Sequence, residues 1–379
     1  MSSSGVSIER VSKRFVGRTE IVEALDEVDV KVRPGEFFVI VGPSGSGKTT
    51  LLRIISGLDA PDEGEIRVGG EIVTSVARGV SIAPKDRQMS FVFQNYALYP
   101  HMSAARNIEF PLLHLRKDLS PRERAAKVRD VAGSLEIGHL LDRKPKELSE
   151  GQRQRVAIAR AIMRDPRVFL MDEPLANLDI SLRMTIRSQL KALQRRLGIT
   201  TIYVTHDQHE AMALGDAIAV IHRGRVQQVG TPTEIYESPA NRFVAEFVGE
   251  NPINMLDGEL VVSDETTFFQ SEGFRLALRK DVASRIRERT FRRCAIGVRP
   301  QDVVVKKRGQ GVMDVSLILV ENVGSKYLLY AFSDHSKGMN VETRVLPKGD
   351  FESRRFSIDL DDENMLFFDS VGRRIDLSN

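Results

Sequence analysis

The N-terminal part of the chain alternates between apolar and polar positions up to about residue 41. Valines alternate with charged residues between 28 and 32, and Pro34-Gly35 supplies a turn. This alternation predicts hairpin strands. The apolar run 37–41 ends the segment and is typical of a buried strand.

A glycine-rich loop follows, and then a helical pattern that continues to about Ser56, where Gly57 is suited to end the helix. Residues 61–65 are predicted to form a turn before a short strand at 66–68. Residues from about 100 to 165 are polar and helical in pattern. Within them, Ser120-Pro121-Arg122-Glu123 has the residues of a helix start, with serine as N-cap, proline at N1 and glutamate at N3.

Two short apolar runs, at 168–171 and 202–204, are bounded by polar residues. Runs of this kind suit parallel strands that are buried on both faces. A helix is predicted at 180–197, with Gly198 as its C-cap. Strands separated by helices predict an α/β fold with a parallel sheet.

The composition changes after about residue 238. A short helical connector is predicted from Pro239 to near Gly249, and the segments beyond it are rich in β-forming residues: 312–320, 327–332 and 340–346. We therefore expect three parts: an α/β domain at 1–238 with a helical subdomain at about 95–165, a linker helix at 239–250, and a small all-β domain at 251–379.

The loop after the run 37–41 has the order strand, glycine loop, lysine, hydroxyl, helix: Gly42-Pro43-Ser44-Gly45-Ser46-Gly47-Lys48-Thr49-Thr50. Glycines let backbone N–H groups curl around phosphate oxygens, and the following helix points its positive end at the same phosphates. Lys48 is expected to reach the β- and γ-phosphates, and the Thr49 hydroxyl to ligate Mg²⁺. The sequence therefore predicts a loop that binds ATP or GTP.

Two acids, Asp172 and Glu173, close the buried run 168–171. A carboxylate at the carboxyl end of such a strand lies beside the phosphate loop and can hold Mg²⁺, directly or through water. Glu173 is then aimed at the water that attacks the γ-phosphorus. Two acids after buried apolar residues are costly unless a cation is present, which argues against a simple capped strand end.

Three further polar segments are weak signals when each is taken alone. Gln94 and His206 each follow a predicted strand, and single polar residues at such places are usually satisfied surface groups. Ser149 opens a helix rich in Arg and Ala, either as a plain N-cap or as part of a phosphate-binding helix N-terminus.

Composition adds mainly exclusions. A chain of 379 residues is expected to form two domains, and its net charge of +3 is too small to indicate a nucleic-acid partner. Cys294 is the single cysteine, which excludes an intramolecular disulfide and fits a reducing compartment. Met1–Gly5 lacks the apolar core of a secretory signal, and no window has the ~18–20 apolar residues that span a bilayer. We expect a cytosolic protein that reaches a membrane only through a partner.

Taken together and in this order, the motifs resemble the ATP-binding-cassette (ABC) ATPases over residues 8 to about 238. The resemblance implies an α/β P-loop nucleotide-binding domain with a helical subdomain. It also implies that ATP and Mg²⁺ are the cofactors. In this family two cassettes hold two ATP molecules head to tail, and hydrolysis releases them, so a monomer is expected to bind ATP but hydrolyse it poorly.

The resemblance implies a role for each motif residue. Catalysis is implied for Glu173, which polarises water, for the switch histidine His206, for the Q-loop residue Gln94 and for Lys48. Mg²⁺ ligation is implied for Thr49, Gln94 and Asp172. Nucleotide contacts are implied for residues of the adenine-stacking position, the P-loop, the Q-loop, the signature, the Walker B strand, the D-loop (175–179) and the switch: Phe15, Gly42, Pro43, Ser44, Gly45, Ser46, Gly47, Lys48, Thr49, Thr50, Gln94, Ser149, Gly151, Gln152, Asp172, Asp179 and His206.

Two positions depart from the family pattern. Glu150 replaces the usual glycine of the signature, and Ala176 replaces a common serine of the D-loop. A carboxylate close to a γ-phosphate is unfavourable, so we expect the Glu150 side chain to point away from the nucleotide. The effect of Glu150 on turnover stays open.

Segments of the C-terminal part extend the resemblance to nearly the whole chain: 297–302, 320–325 and 365–369. They resemble the β-barrel (OB-like, TOBE) extension of bacterial maltose- and glycerol-phosphate-type importer ATPases, as do 91–102 and 236–245. The resemblance implies a homodimer docked beneath two membrane-spanning permease subunits, peripheral on the cytoplasmic face of the inner membrane. An extracytoplasmic binding protein delivers the solute.

Carbohydrate is the favoured solute by this resemblance, while polyamine and iron importers share the same layout. The all-β domain is open to three roles: solute sensor, dimer brace, or docking site for a cytosolic regulator. A cassette that acts mainly as a regulatory switch is the alternative from another functional class. The solute itself is not encoded in this chain, because selectivity belongs to the membrane subunits and the binding protein.

Overall fold

The computed structural model describes residues 4–17, 20–176, 178–263, 266–287, 292–333, 338–344 and 354–376. The chain divides into two compact units, Met1–Glu234 and Ile235–Asn379, and the boundary falls within helix α7 (Pro232–Glu237). Within the described ranges, no helix is both long and apolar enough to cross a bilayer.

The N-terminal segment of the first unit forms an antiparallel sheet. Its spatial order is β2-β1-β4-β5-β6, and the strands are β1 Val6–Val16, β2 Ile21–Val32, β4 Glu63–Val68, β5 Glu71–Ser75 and β6 Val80–Ser81. The predicted hairpin strands are confirmed for β1 and β2, which pair antiparallel. The Pro34-Gly35 turn is not the turn of this hairpin, because it leads from β2 to a strand of another sheet, β3 (Phe37–Val41).

Strand β4 begins at Glu63, so the prediction of a turn at 61–65 before a strand at 66–68 is wrong in its second half. Gly64 has φ 98°, and a Cβ there would lie 2.5 Å from the carbonyl oxygen of Arg10. The register of β1 with β4 shifts at this place, between Glu9 and Ser12. Gly64 therefore serves a bulged strand pair and not a free turn.

A six-stranded sheet carries the loops of the candidate site. Its order is β11-β10-β3-β9-β8-β7, and all neighbours are parallel except β10 and β11. The strands are β3 Phe37–Val41, β7 Met89–Val92, β8 Val168–Asp172, β9 Thr200–Thr205, β10 Ala217–His222 and β11 Arg225–Gly230. Every residue of β3, β8 and β9 is buried, as predicted for parallel strands covered on both faces.

The helices of the first unit are α1 Lys48–Ser56, α2 Ala104–Leu115, α3 Pro121–Ser134, α4 Glu150–Ile162, α5 Ile180–Leu197 and α6 Gln208–Leu214. Three predicted end signals are confirmed. Gly57 ends α1 at φ 81°, Gly198 ends α5 at φ 62°, and Ser120 forms a reciprocal capping box with Glu123 at the start of α3.

The second unit contains two five-stranded antiparallel sheets, with orders β14-β13-β12-β15-β21 and β16-β20-β17-β18-β19. The strands are β12 Asn254–Val262, β13 Thr267–Ser271, β14 Phe274–Ala277, β15 Arg293–Val298, β16 Val303–Lys306, β17 Met313–Val323, β18 Lys326–Ser333, β19 Gly338–Thr343, β20 Arg355–Leu360 and β21 Leu366–Phe368. The three predicted strands correspond to β17, β18 and β19, although residues 345–346 of the third lie outside the described residues. Two short helices, α8 Arg242–Phe247 and α9 Lys280–Arg287, complete this unit, and α9 was not predicted.

Candidate active site

The carboxyl ends of the parallel strands bring the predicted site residues to one edge of the sheet. Val41 of β3 pairs with Thr205 of β9, and Asp172 of β8 pairs with Val204. The P-loop follows β3, the two acids end β8, and His206 follows β9. Segments that are far apart in sequence therefore meet at this edge.

Two glycines of the P-loop, Gly42 and Gly47, are required by neighbouring backbone as well as by any phosphate. A Cβ on Gly42 would lie 2.1 Å from the carbonyl oxygen of Ile221. Gly47 has φ 101°, and a Cβ there would lie 2.3 Å from the carbonyl oxygen of Ala24. Side chains are excluded at both positions, so the loop keeps its backbone N–H groups accessible. The other predicted nucleotide contacts lie on this loop or in the first turn of α1: Pro43, Ser44, Gly45, Thr49 and Thr50.

Lys48 is held inside the loop that precedes it. Its Nζ donates to the carbonyl oxygens of Gly42 and Pro43, both at 2.9 Å, and the side chain is buried. Burial lowers the pKa of Lys48, and the carboxylates of Glu173 and Asp172 oppose that shift. The Ser46 Oγ is also buried and, among the described residues, has no hydrogen-bond partner. A buried cation beside an unpartnered hydroxyl fits a phosphate group.

Asp172 and Thr49 form the second pair of the site. The Thr49 Oγ1 donates to the Asp172 Oδ1 at 2.9 Å, and Asp172 is buried. Burial and then the nearby Glu173 raise the pKa of Asp172, while the hydrogen bond from Thr49 and the positive charge of Lys48 oppose the shift. One carboxylate and one hydroxyl are the protein ligands that Mg²⁺ uses when nucleotide phosphates supply the rest of its shell.

Glu173 and His206 are in direct contact. The His206 Nδ1 lies 3.0 Å from the Glu173 Oε2. Glu173 has φ 42°, an unusual backbone conformation for a residue other than glycine, and its N–H donates to the carbonyl oxygen of Val204 at 3.0 Å. This conformation turns the chain sharply after β8 and directs the carboxylate towards His206 at the sheet edge.

Gln94 and Phe15 lie at the border of the site. Gln94 is exposed and follows the carboxyl end of β7, the strand next to β8. Phe15 is 44% exposed and pairs across the hairpin with Val22, two positions before Ala24, which approaches Gly47 of the P-loop. An exposed aromatic ring at this place is available for stacking on a base.

The predicted signature residues occupy the first turn of α4. The Ser149 Oγ accepts a hydrogen bond from the Gln152 N–H at 3.4 Å, and the Ser149 N–H donates to the Gln152 Oε1 at 3.0 Å, so the two residues form a capping box. A Cβ on Gly151 would lie 2.6 Å from the Leu182 Cδ2, so close packing of α4 on α5 requires glycine here. The Glu150 Oε1 lies 3.7 Å from the Arg153 Nη2, and the side chain is half exposed.

Asp179 caps α5, since its Oδ1 accepts from the Leu182 N–H at 2.9 Å, and Asn177 of the predicted D-loop lies outside the described residues. A charged cluster lies beside His206 that was not predicted from the sequence, and it is formed by Arg183, Asp207 and Glu210. Asp207 as an N-cap after a buried strand is a signal that was available in the sequence. No sequence signal indicated that Arg183 would approach Asp207 from another helix.

The arrangement can bind a triphosphate through the P-loop, hold a divalent cation between Thr49 and Asp172, and place the Glu173 carboxylate at the open edge. Histidine orients that carboxylate. These are the parts required for phosphoryl transfer to water, where positioning and electrostatic stabilisation carry most of the catalysis.

Comparison with known proteins agrees with this chemistry. Residues 25–176 match the family model described as ABC transporter. The chain is 48% identical to the trehalose/maltose import ATP-binding protein MalK of Thermococcus litoralis, over 82% of this chain and 84% of that protein. It is 41% identical to the sn-glycerol-3-phosphate import ATP-binding protein UgpC of Rhodopseudomonas palustris, over 99% of this chain and 100% of that protein.

Among solved structures, the chain is similar to a dimeric post-hydrolysis state of the ATP-binding cassette MJ0796 bound to ADP and Pi. The TM-score is 0.54 at 34% sequence identity, and the match covers 60% of this chain and 98% of that one.

Proposed function

The chain belongs to the ATP-binding-cassette transporter family, and from this premise we propose that it is the ATP-hydrolysing subunit of an importer for a sugar or a sugar derivative. The observation that carries the proposal is the meeting of Lys48, the Thr49–Asp172 pair and the Glu173–His206 pair at one sheet edge. The printed names of the relatives support the solute class.

In the proposed reaction the P-loop N–H groups and Lys48 bind the β- and γ-phosphates, and Phe15 stacks on adenine. Thr49 and Asp172, with Gln94 from the neighbouring strand end, would hold Mg²⁺, and the ion would supply charge neutralisation on the phosphates. Glu173 orients a water for in-line attack and accepts its proton. His206 holds the Glu173 carboxylate through Nδ1, which leaves its Nε2 available to the γ-phosphate.

We also propose that two copies of the chain enclose ATP. The N-terminus of α4, with Ser149, Gly151 and Gln152, would face the γ-phosphate bound by the other copy, and Asp179 would lie beside it. The dimeric assembly of the similar cassette, bound to ADP and Pi, supports this arrangement. Glu150 is directed to Arg153 on its own helix, which is consistent with a side chain that avoids the phosphate.

A groove beside α2 is the proposed docking site for a helix of a membrane subunit. The cavity measures about 460 Å³, and its lining includes Tyr99 and Phe110, whose ring centroids are 4.7 Å apart. Leu98 and Met102 flank Tyr99 in sequence and are half-buried, but they do not line the cavity.

The segment that leads from Gln94 to this groove is tightly held. Tyr96 and Ala97 both have positive φ, at 61° and 44°, and the guanidinium of Arg160 donates to both of their carbonyl oxygens, at 3.0 and 2.8 Å. Because hydrogen bonds from Arg160 hold residues 96 and 97 in place, this segment can transmit a movement of Gln94 to the groove.

For the C-terminal part we propose a regulatory role, with residues 239–250 as linker and 251–379 as the domain that senses solute, braces the dimer or binds a cytosolic regulator. An extracytoplasmic binding protein is the proposed source of solute, and attachment to the membrane is through the permease subunits. Polyamine or iron import stays the alternative for the solute.

The test is reconstitution of the full chain with its permease subunits and binding protein in proteoliposomes. We expect ATP hydrolysis to rise when a sugar is supplied on the side of the binding protein. ATPase activity that no permease and no solute changes would overturn the importer proposal and favour a cytosolic regulatory switch.

Crosslinking tests the groove. Cysteines placed at Tyr99 and Phe110 should crosslink to the permease, while a cysteine at exposed Met184 on α5 serves as control. The native Cys294 is buried and does not compete. Absence of crosslinks in every nucleotide state would count against the groove.

A further inference from the structure

One arginine contacts both of the segments that carry Glu173 and His206. Arg183, in the first turn of α5, donates from Nη1 to the Asp207 Oδ2 at 3.0 Å and from Nη2 to the carbonyl oxygen of Leu178 at 3.0 Å. Its Nε lies 3.9 Å from the Glu210 Oε1. Among the described residues, this Nε has no hydrogen-bond partner. The two terminal nitrogens of the guanidinium reach Asp207 and Leu178 from fixed positions, a geometry that the single Nζ of a lysine does not reproduce.

The residues on either side of His206 in the sequence, Thr205 and Asp207, are fixed by hydrogen bonds. The N–H of Asp207 donates to the Thr205 Oγ1 at 3.0 Å, and that hydroxyl donates to the Glu210 Oε2 at 2.8 Å. Asp207 also caps α6, because its Oδ1 accepts from the N–H groups of His209 and Glu210. Both residues that flank His206 are thus fixed, while the His206 side chain itself is 51% exposed.

The other segment that Arg183 contacts is the turn after Glu173. The Ala176 N–H donates to the carbonyl oxygen of Glu173 at 3.3 Å, and the Leu178 N–H donates to that of Leu175 at 3.2 Å. Leu178 then presents its own carbonyl oxygen to Arg183. The guanidinium therefore joins the segment that begins with Glu173 to the residue that follows His206.

We propose that Arg183 is a positioning residue for ATP hydrolysis, which sets the spacing of Glu173 and His206 by joining the turn after Glu173 to Asp207. The inference rests on the proposed function, because it assumes that the Glu173–His206 pair acts on the attacking water. Arg183 touches neither the substrate nor the reacting atoms in this role. It acts through the geometry of the pair.

The test compares full-length variants in steady-state ATP hydrolysis. Arg183→Met is expected to lower kcat by about ten- to hundredfold, the scale that small misplacements of catalytic groups produce, with KM for ATP changed less than about twofold. Arg183→Lys keeps a positive charge beside the buried Glu210 but loses the two terminal nitrogens that bind Asp207 and Leu178. Its kcat should therefore lie between those of the wild type and Arg183→Met. The Lys variant also keeps the test decisive if Arg183→Met does not fold.

The matched control is Arg187→Met, one turn later on α5, where the one hydrogen bond of the side chain within the described residues runs from Nη1 to the carbonyl oxygen of His209 at 3.5 Å. This variant should keep the wild-type kcat. If Arg183→Met and Arg183→Lys behave like Arg187→Met, the inference is overturned.

A double-mutant cycle separates positioning from general destabilisation. Asp207→Asn keeps a cap acceptor for α6 and removes the charge that Arg183 binds. If both act through one contact, the double variant with Arg183→Met should be no slower than the slower single variant. Losses that multiply would overturn the inference.

The pH profile of kcat adds a readout that a purely structural role would not move. The charged and titratable groups around His206 are Glu173, Asp207, His209, Glu210 and Arg183, whereas Arg187 contacts the backbone carbonyl oxygen of His209. Arg183→Met should shift the profile and Arg187→Met should not, and an unshifted profile in Arg183→Met counts against the inference. Glu173→Gln, measured alongside, distinguishes the two failures. If it retains activity, the proposed catalytic pair is wrong; if it is inactive while Arg183→Met is normal, only the role of Arg183 is wrong.

Discussion

Replacing Gly151 by alanine should destabilise the packing of α4 on α5. A Cβ at Gly151 would lie 2.6 Å from the Leu182 Cδ2 and 3.3 Å from the Ile186 Cδ1, and carbon atoms in proteins do not approach to the first distance. Overpacking of this kind costs ~1–3 kcal/mol, and alanine regains up to ~1 kcal/mol of helix propensity over glycine. The expected net loss is about 0–2 kcal/mol of unfolding free energy.

The cost should disappear when the opposing side chain is shortened. In the pair Gly151→Ala and Leu182→Ala, the new methyl group occupies space that the leucine vacates. We expect the double variant to be more stable than the sum of the single changes by ~0.5 kcal/mol or more, the usual scale for residues in contact. Thermal unfolding of the full chain by calorimetry, followed by ATP hydrolysis on the same samples, provides the measurement.

Additive effects within ~0.3 kcal/mol would refute the packing argument. Hydrolysis then separates two reasons for a glycine at this position. If the double variant regains stability and also activity, packing alone requires Gly151. Regained stability without activity would instead indicate a second requirement at the nucleotide.

Three further changes test other parts of the account. Lys48→Ala removes the buried amine and should weaken ATP binding by about ten- to hundredfold, the value of a hydrogen bond to a charged group, and an unchanged Kd in titration calorimetry would contradict the assignment. Glu150→Gly removes a carboxylate that contributes ~0.3–1 kcal/mol at a helix N-terminus. ATP binding by the monomer should stay unchanged, the ATP-bound dimer should become slightly tighter, and hydrolysis should stay the same or rise a few-fold. Loss of hydrolysis would show an active role for Glu150. Burial raises the pKa of Cys294 to about 12, so the thiol should resist Ellman's reagent at pH 8 until the protein unfolds. Because the folded pKa lies above the unfolded one, this group's contribution to stability is complete at pH 8 and is lost as the pH rises from about 9 towards 12.

Local signals allowed much of the fold to be predicted. The ends of α1, α3 and α5 follow from Gly57, from the Ser120–Glu123 capping box and from Gly198, each of which acts on its own helix end. Gly64 was misinterpreted because its requirement comes from the carbonyl oxygens of Glu9 and Arg10 on another strand. A glycine signal shows that space or positive φ is needed, but it does not show what lies opposite.

The same limit applies to the candidate site. The residues proposed to border phosphate and metal occur in compact motifs, so Lys48, Thr49, Asp172 and Glu173 could be proposed from sequence. The residues that hold these motifs in place are scattered along the chain and do not form a motif. Arg183 acts on Leu178 and Asp207 through contacts that depend on how α5 lies against the loop after β9, and no spacing in the sequence encodes that approach.

The central claim is that Glu173 is the proton acceptor of an ATPase site, and the most direct test is phosphate release by full-length Glu173→Gln with Mg²⁺ and saturating ATP. The change preserves size and the ability to hydrogen-bond His206 but removes the general base, whose contribution is about 10²–10⁴-fold. We expect hydrolysis to fall by that factor, while ATP still binds and the ATP-bound dimer accumulates. A variant that retains half of the wild-type rate would contradict the account.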